Sequence, residues 1–182
     1  MTLTTPSTPS NCILSISSEE ETILLASIIA EYTSKGDVFL LDGTLGVGKS
    51  TFARAFIRAL KQDNSIEVPS PTFTLVQVYE AQNKEVPSIW HFDLYRLESP
   101  DEVYEVGLEE ALSDGVSLIE WPDRLGSIPI PNPIHLAFSF NEQSSTSSRR
   151  VTLTGGASHS KRLEQIKQDF DRISKNDSKG IE

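Results

Sequence analysis

The spacing of apolar residues changes several times along this chain, and each change marks a different element. Ser18 and Glu21 have the spacing of a capping box, and Ile23, Leu24 and Ile28 follow at helical intervals, which predicts a first helix ending near Thr33. Lys35-Gly36-Asp37 breaks it. Val38-Phe39-Leu40-Leu41 is an unbroken apolar run, the mark of a buried strand, and Ser50 to Leu60 returns to a helical pattern that stops near Asp63-Asn64. Pro69-Ser70-Pro71 holds the chain extended ahead of Thr72 to Tyr79, whose alternating β-branched and aromatic residues predict a strand. Gln82-Asn83-Lys84 then turns the chain toward another strand, Ser88 to Leu94.

The second half is less regular. Ser99-Pro100-Asp101-Glu102 carries a capping residue, a proline at the first helical position and a following acid, so a helix through Val103, Val106 and Leu108 is predicted to end near Ser113-Asp114-Gly115. Val116 to Ile119 is a compact buried strand that delivers Glu120 and Trp121 at its end. Pro122, Pro129, Pro131 and Pro133 mark an irregular crossing. Beyond it, Ile134 to Phe140 and Arg150 to Thr154 alternate as the two strands of a hairpin with a Ser-rich tip from Gln143 to Ser148. Leu163, Ile166, Phe170 and Ile173 form one apolar stripe on a closing helix, and Lys175 to Glu182 are expected to fray.

Strands alternating with helices in this order imply an α/β fold with a mostly parallel central sheet and a C-terminal antiparallel hairpin. The expected organisation is a disordered Thr/Ser/Pro-rich leader over residues 1–11, one nucleotide-binding domain over 12–160, and the closing helix with its tail over 161–182. A chain of 182 residues with 37% hydrophobic content can build one full core.

Charge and cysteine usage narrow the function. A net charge of −10 repels a phosphate backbone and excludes non-specific nucleic-acid binding by bulk electrostatics, so any RNA in its pathway is expected on a partner. The single cysteine, Cys12, cannot form an internal disulfide, and no Cys/His cluster has metal-ligand spacing. No Lys or Arg precedes Lys35, the opening stretch has no apolar signal core, and no apolar run is long enough to span a bilayer. The expectation is a soluble cytoplasmic protein.

One segment carries chemistry by itself. Gly43-Thr44-Leu45-Gly46-Val47-Gly48-Lys49-Ser50 is a phosphate-binding loop set between the strand and the helix that such a loop requires. Its glycines let backbone N–H groups approach phosphate oxygens, Lys49 supplies charge to the β and γ phosphates, the Ser50 hydroxyl suits Mg²⁺, and Thr51 lies in the first helical turn, where the dipole favours an anion. A triphosphate site also needs acids near its metal, and these come from the carboxyl ends of neighbouring strands. Glu120 and Asp93 are the candidates: Glu120 for Mg²⁺ or for orienting the attacking water, Asp93 beside the metal or as a base for water. Each also has an ordinary alternative as a helix cap or an Arg partner.

Around them, Thr72 of Ser70-Pro71-Thr72-Phe73 is a sensor of the γ-phosphate or part of a proline-stiffened strand start. His91 reads as a packed histidine, Arg96 as a partner of phosphate or of Asp93 or as a surface ion pair, and Trp121 as a cover for the nucleotide, a partner contact or a core residue. ATP is favoured over GTP, because Asn83-Lys84 is followed by Glu85-Val86 without the guanine-reading Asp, and Asp123-Arg124-Leu125-Gly126 follows Trp-Pro instead of a strand. A small-molecule kinase remains the alternative, although Arg124 is the only Arg in the region where a lid would stand.

Taken as a series, Gly43-x-x-Gly-x-Gly-Lys-Ser-Thr-Phe-x-Arg, Ser70-Pro-Thr-Phe-Thr-Leu-Val, His91-Phe-Asp-Leu-Tyr-Arg-Leu, Glu105-x-Gly-Leu and Ile119-Glu-Trp-Pro-Asp-Arg-Leu resemble the TsaE family, also called YjeE, the small ATPase of bacterial threonylcarbamoyladenosine tRNA modification. The likeness runs from about Glu19 to Gly155. It implies a three-layer αβα P-loop NTPase fold and weak ATP hydrolysis by the protein alone. It also implies partnership with the threonylcarbamoyl-transferase subunit (TsaD-like) and its dimerisation partner (TsaB-like), which together modify the adenosine beside the anticodon of ANN-decoding tRNAs.

Carried over by position, the resemblance gives Lys49 the phosphates, Ser50 and Glu120 the Mg²⁺, and Asp93 a place in the hydrolytic site. Trp121 becomes the site tryptophan, and the segment from Glu19 to Thr22 approaches the nucleotide. Ser50 stands where the family more often has Thr and keeps the hydroxyl; the leader and the closing helix inherit nothing. The output expected from this likeness is a conformational reset of a tRNA-modifying complex, or an ATP-dependent binding switch without turnover.

Overall fold

The central strands are buried on both faces, and their alternating side chains feed two cores, one on each side of a single sheet. The computed structural model describes residues 10–81, 86–141 and 148–177. In chain order the elements are β1 (Ser10–Ile16), α1 (Glu19–Glu31), β2 (Val38–Asp42), α2 (Lys49–Lys61), β3 (Val76–Tyr79), β4 (Ser88–Asp93), α3 (Glu102–Glu105), α4 (Leu108–Asp114), β5 (Gly115–Glu120), β6 (Ile134–Phe140), β7 (Arg149–Gly155) and α5 (Ser160–Asp177). The sheet has seven strands in the order β1-β7-β6-β2-β5-β4-β3. The central strands β6, β2, β5 and β4 are parallel, while β1 and β7 at one side and β3 at the other run antiparallel to their neighbours.

Successive strand residues point to opposite faces, and β2 shows the consequence. Phe39 and Leu41 join Phe52, Phe56, Ile29 and Phe170 under α1, α2 and α5, whereas Val38 and Leu40 join Phe92, Val103, Leu108 and Ile119 under α3 and α4. This is the three-layer α/β arrangement expected from the sequence. β2 sits between β5 and β6, so the chain leaves its carboxyl end at the point where successive connections diverge to opposite sides, the place where open α/β sheets bind ligands. Among the described residues no helix is long and apolar enough to cross a membrane.

Several local expectations hold in detail. Ser18 caps α1, with its Oγ accepting the Glu21 N–H at 3.3 Å, and the Glu21 carboxylate reaches back to the Ser17 N–H. α2 buries Phe52, Ala53, Phe56 and Ile57, and its outward-facing Arg58 donates from Nε to the Ile66 carbonyl at 3.0 Å.

Others change. β1 takes in Ser10 and Asn11, which composition assigned to the leader; Cys12, Leu14 and Ile16 alternate inward against β7, a pattern masked by the surrounding Ser and Thr. The strand expected from Thr72 begins only at Val76, because the Ser70 and Thr72 hydroxyls are drawn to Asp93 and the chain turns, with the Leu75 N–H bonded to the Pro71 carbonyl at 2.7 Å.

The helix expected after Pro100 is two short ones, α3 and α4. Gly107 between them has φ +92°, and a Cβ there would lie 2.8 Å from the Trp90 ring, so a large side chain on β4 sets the break. The closing helix is no appendage. Leu163, Ile166 and Phe170 belong to the larger core, Arg162 pairs with both oxygens of Asp37, and Tyr32 donates to Asp169 at 2.6 Å. α5 continues through Lys175 to Asp177, past the point where fraying was expected. The turn at residues 82–84 and the hairpin tip at 143–147 lie outside the described residues.

Candidate functional site

The loop between β2 and α2 is shaped by its glycines. Gly43, Gly46 and Gly48 have φ of +139°, +76° and +117°, a region where other residues are strained. At Gly43 space is also decisive: a Cβ would stand 2.5 Å from the Phe138 carbonyl oxygen and 2.9 Å from Val47 Cγ1. Val47 itself is fully buried and anchors the loop from beneath, while Leu45 projects into solvent.

Lys49 opens α2 and is 4% exposed. Its Nζ donates to the carbonyls of Gly43 at 2.5 Å and Thr44 at 3.1 Å and lies 3.9 Å from the centre of the Trp121 ring. Burial pulls its ammonium below the usual lysine value, and Glu120, Asp42, Asp93 and Asp123 oppose that shift. A buried cation held among carboxylates and carbonyls is poised to receive an anion that satisfies it better. Trp121 follows β5 with φ +61°, an uncommon conformation for a bulky residue, and packs against Tyr95 with ring centres 5.0 Å apart and the planes tilted by 50°.

The two strand-end acids stand side by side. Asp93 on β4 and Glu120 on β5 are register partners, and both are almost fully buried. Ser50 Oγ donates to Glu120 Oε2 at 2.9 Å, and His91 Nε2 lies 2.9 Å from Glu120 Oε1. Asp93 Oδ2 accepts from Ser70 Oγ at 2.8 Å and Thr72 Oγ1 at 2.7 Å, and its Oδ1 accepts the Tyr95 N–H at 3.2 Å. These residues surround one cleft of about 370 Å³, lined by Leu45, Gly46, Gly48, Lys49, Ser50 and Thr51 on one side and by Ser70, Thr72, Asp93, Tyr95, Glu120 and Trp121 on the other.

The cleft suits a polyphosphate and a hard divalent cation. Its backbone turns bring N–H groups to the mouth of a helix, and Ser50 with Glu120 offers a hydroxyl and a carboxylate. Among the described residues no group of three or more His, Cys, Asp or Glu could hold a metal. A hydroxyl with one carboxylate matches the few protein oxygens that Mg²⁺ takes when phosphate and water complete its shell.

Most sequence candidates therefore converge, but not all. Glu19 lies in a neighbouring groove of about 350 Å³ between α1 and α2, with Ile23, Arg54, Arg58 and Asn64; Thr51 lines both spaces. Arg96 sits over the exposed Phe73 ring at 4.6 Å, so its partner is an aromatic face rather than a surface acid. Three participants were missed or undervalued. Ser70 and Tyr95 are brought in only by the fold. Arg149 on β7 lies beside Gly48, where a Cβ would meet its Nε at 3.6 Å, and that buried Nε has no hydrogen-bond partner. No local pattern marks it, since its place depends on β7 pairing with β6 across a hairpin.

The sequence model of the family described as Threonylcarbamoyl adenosine biosynthesis protein TsaE matches residues 16–151. Two tRNA threonylcarbamoyladenosine biosynthesis proteins TsaE are similar to this chain: that of Rickettsia conorii, 44% identical over 64% of this chain and 64% of its own length, and that of Bacillus subtilis, 40% identical over 56% of this chain and 61% of its own. The chain thus spans just under two thirds of the length of these relatives. The crystal structure of Bacillus subtilis YdiB shares the fold, with a TM-score of 0.65, 24% identity, and coverage of 92% of this chain and 99% of that one. With a family match that spans the glycine loop, both strand-end acids and Trp121, and with a P-loop NTPase-like fold around them, the chain belongs to the TsaE family.

Proposed function

We propose that this chain binds ATP with Mg²⁺ in the cleft above α2, hydrolyses it slowly, and through that cycle resets the threonylcarbamoyl-transferase complex that modifies tRNA. The observation that carries this reading is the 2.9 Å hydrogen bond from Ser50 Oγ to Glu120 Oε2, which joins the phosphate loop to a strand-end acid across 70 residues of sequence. Ser50 and Glu120 hold Mg²⁺, which when bound neutralises phosphate charge and polarises the phosphoryl oxygens. Lys49 exchanges its loop carbonyls for phosphate oxygens, and the loop N–H groups bind the same anion. The groove beside Thr51, with Glu19, Arg54 and Arg58, takes the base and ribose.

Asp93 orients the attacking water. Its Oδ2 accepts two hydroxyls while its Oδ1 accepts the Tyr95 N–H alone, so Ser70 and Thr72 hold one oxygen and the other has a lone pair for the water. The water oxygen bonds to the γ-phosphorus, the bridging oxygen leaves with ADP, and the proton passes to phosphate or to Asp93. The tRNA is held by the transferase and its dimerisation partner, TsaD-like and TsaB-like proteins, a reading with which a net charge of −10 agrees, and the setting is the cytoplasm.

The test is reconstituted tRNA modification with the transferase, its dimerisation partner and this chain. Lys49→Ala is expected to abolish its contribution to multiple turnover, and an unchanged turnover number overturns the proposal. A phosphorylated small molecule formed from a metabolite mixture by the protein alone would point instead to a kinase.

A further inference from the structure

We propose that His91, which the sequence presents as an ordinary packed histidine, is a positioning residue that holds Glu120 in the orientation the metal requires; this rests on the Mg²⁺-ATP reading above. Glu120 is 1% exposed, and a carboxylate so buried needs donors on both oxygens. Oε2 faces the cleft through Ser50. Oε1 faces the interior, and there its partner is His91 Nε2 at 2.9 Å. His91 is itself 1% exposed and does not line the cleft, so it meets no substrate. Its role is exerted through Glu120.

The topology makes this clamp directional. His91 stands two residues before Asp93 on β4, so it shares a face of the sheet with Asp93 but lies deeper along the strand. Its bond therefore draws one oxygen of Glu120 downward and leaves the other directed at Ser50. The second ring nitrogen, Nδ1, has no hydrogen-bond partner. A buried bare lone pair is tolerated more readily than a buried N–H without an acceptor, so the arrangement assigns the proton to Nε2, which donates to Glu120. Without that donor nothing holds Oε1, the Glu120 carboxylate is free to rotate away from Ser50, and the metal loses its directed oxygen. Groups that orient a metal ligand in this way commonly govern about 10- to 100-fold in metal affinity.

The experiment compares His91→Gln with His91→Asn in the full chain, with His91→Leu as a third variant. Gln and Asn both keep an amide in the pocket, but only Gln carries its nitrogen as far from the backbone as imidazole Nε2. Calorimetry measures ADP binding with and without Mg²⁺ for each. The expected result is that Asn and Leu weaken the Mg²⁺ response by about 10- to 100-fold, that Gln retains most of it, and that ADP affinity without Mg²⁺ stays within about 2-fold for all.

If Leu fails to fold, losing Mg²⁺-free ADP binding as well, the Gln and Asn pair decides. Equal Mg²⁺ responses in Gln and Asn overturn the proposal. A wild-type protein whose ADP affinity ignores Mg²⁺ overturns the underlying metal reading instead, and the two failures are distinguished by which protein shows them.

Discussion

Glu120 and Asp93 end neighbouring parallel strands in register, yet the structure holds them by different means. Glu120 is fastened to regular elements on both sides, to Ser50 in the first turn of α2 and to His91 within β4. Asp93 is fastened to a turn: Ser70 and Thr72 belong to the irregular segment before β3, which closes on itself through Leu75 at φ +63°. The first acid cannot shift without disturbing helix or sheet, whereas the second exchanges partners when a loop moves. In the proposed function two carboxylates of the same chemistry therefore take different jobs, the first suited to a fixed cation and the second to a water that comes and goes.

The sharpest break in this comparison is Glu120→Gln, which keeps the shape and removes the charge. ATP hydrolysis is expected to fall by about 10²- to 10³-fold, with nucleotide affinity no longer responding to Mg²⁺ in calorimetry. Asp93→Asn should cost about 10²-fold in turnover while the Mg²⁺ response persists; if both variants lose that response, the division of labour is wrong. Thr72→Val removes one hydroxyl from Asp93 and is expected to lower stability by about 1 kcal/mol in urea denaturation, leaving hydrolysis near the wild-type rate because Ser70 still holds Oδ2 and Oδ1 still has room for the water. A clear drop in rate would show that the hydroxyl serves the reaction itself.

The smallest effect concerns Lys49. Burial lowers its folded value, so the folded chain binds that proton less tightly than the unfolded one. The cost is fully present at neutral pH and is relieved as pH rises from the lowered folded value toward the unfolded one. Stability should therefore climb over that alkaline interval, and Lys49→Met should flatten the climb in denaturation midpoints.

The legibility of the site follows the same division. The loop from Gly43 to Ser50 is contiguous, and its glycines answer local backbone demands, so it reads directly from the chain. Glu120 and Asp93 were found because each ends an apolar run, a signal that is also local. What escaped was every contact made across the sheet. Ser70 looked like part of a strand start until Asp93 claimed its hydroxyl, and His91 looked like packing until Glu120 appeared beside it. Arg149 fell between the predicted hairpin tip and its second strand and drew no reading, and β1 was hidden in a Ser/Thr-rich opening because only its pairing with β7 distinguishes it from a leader.

By itself the sequence determined the phosphate loop, the alternation of strands and helices, the two strand-end acids and the family blocks, because these depend on spacing within a few residues and on backbone preferences that act locally. The tertiary structure alone decided which oxygen of Glu120 faces Ser50, what holds its other oxygen, and which loop hydroxyls occupy Asp93. It also decided that Glu19 stands in an adjoining groove. These are contacts between residues tens of positions apart, set by strand order and register, and no local pattern encodes them.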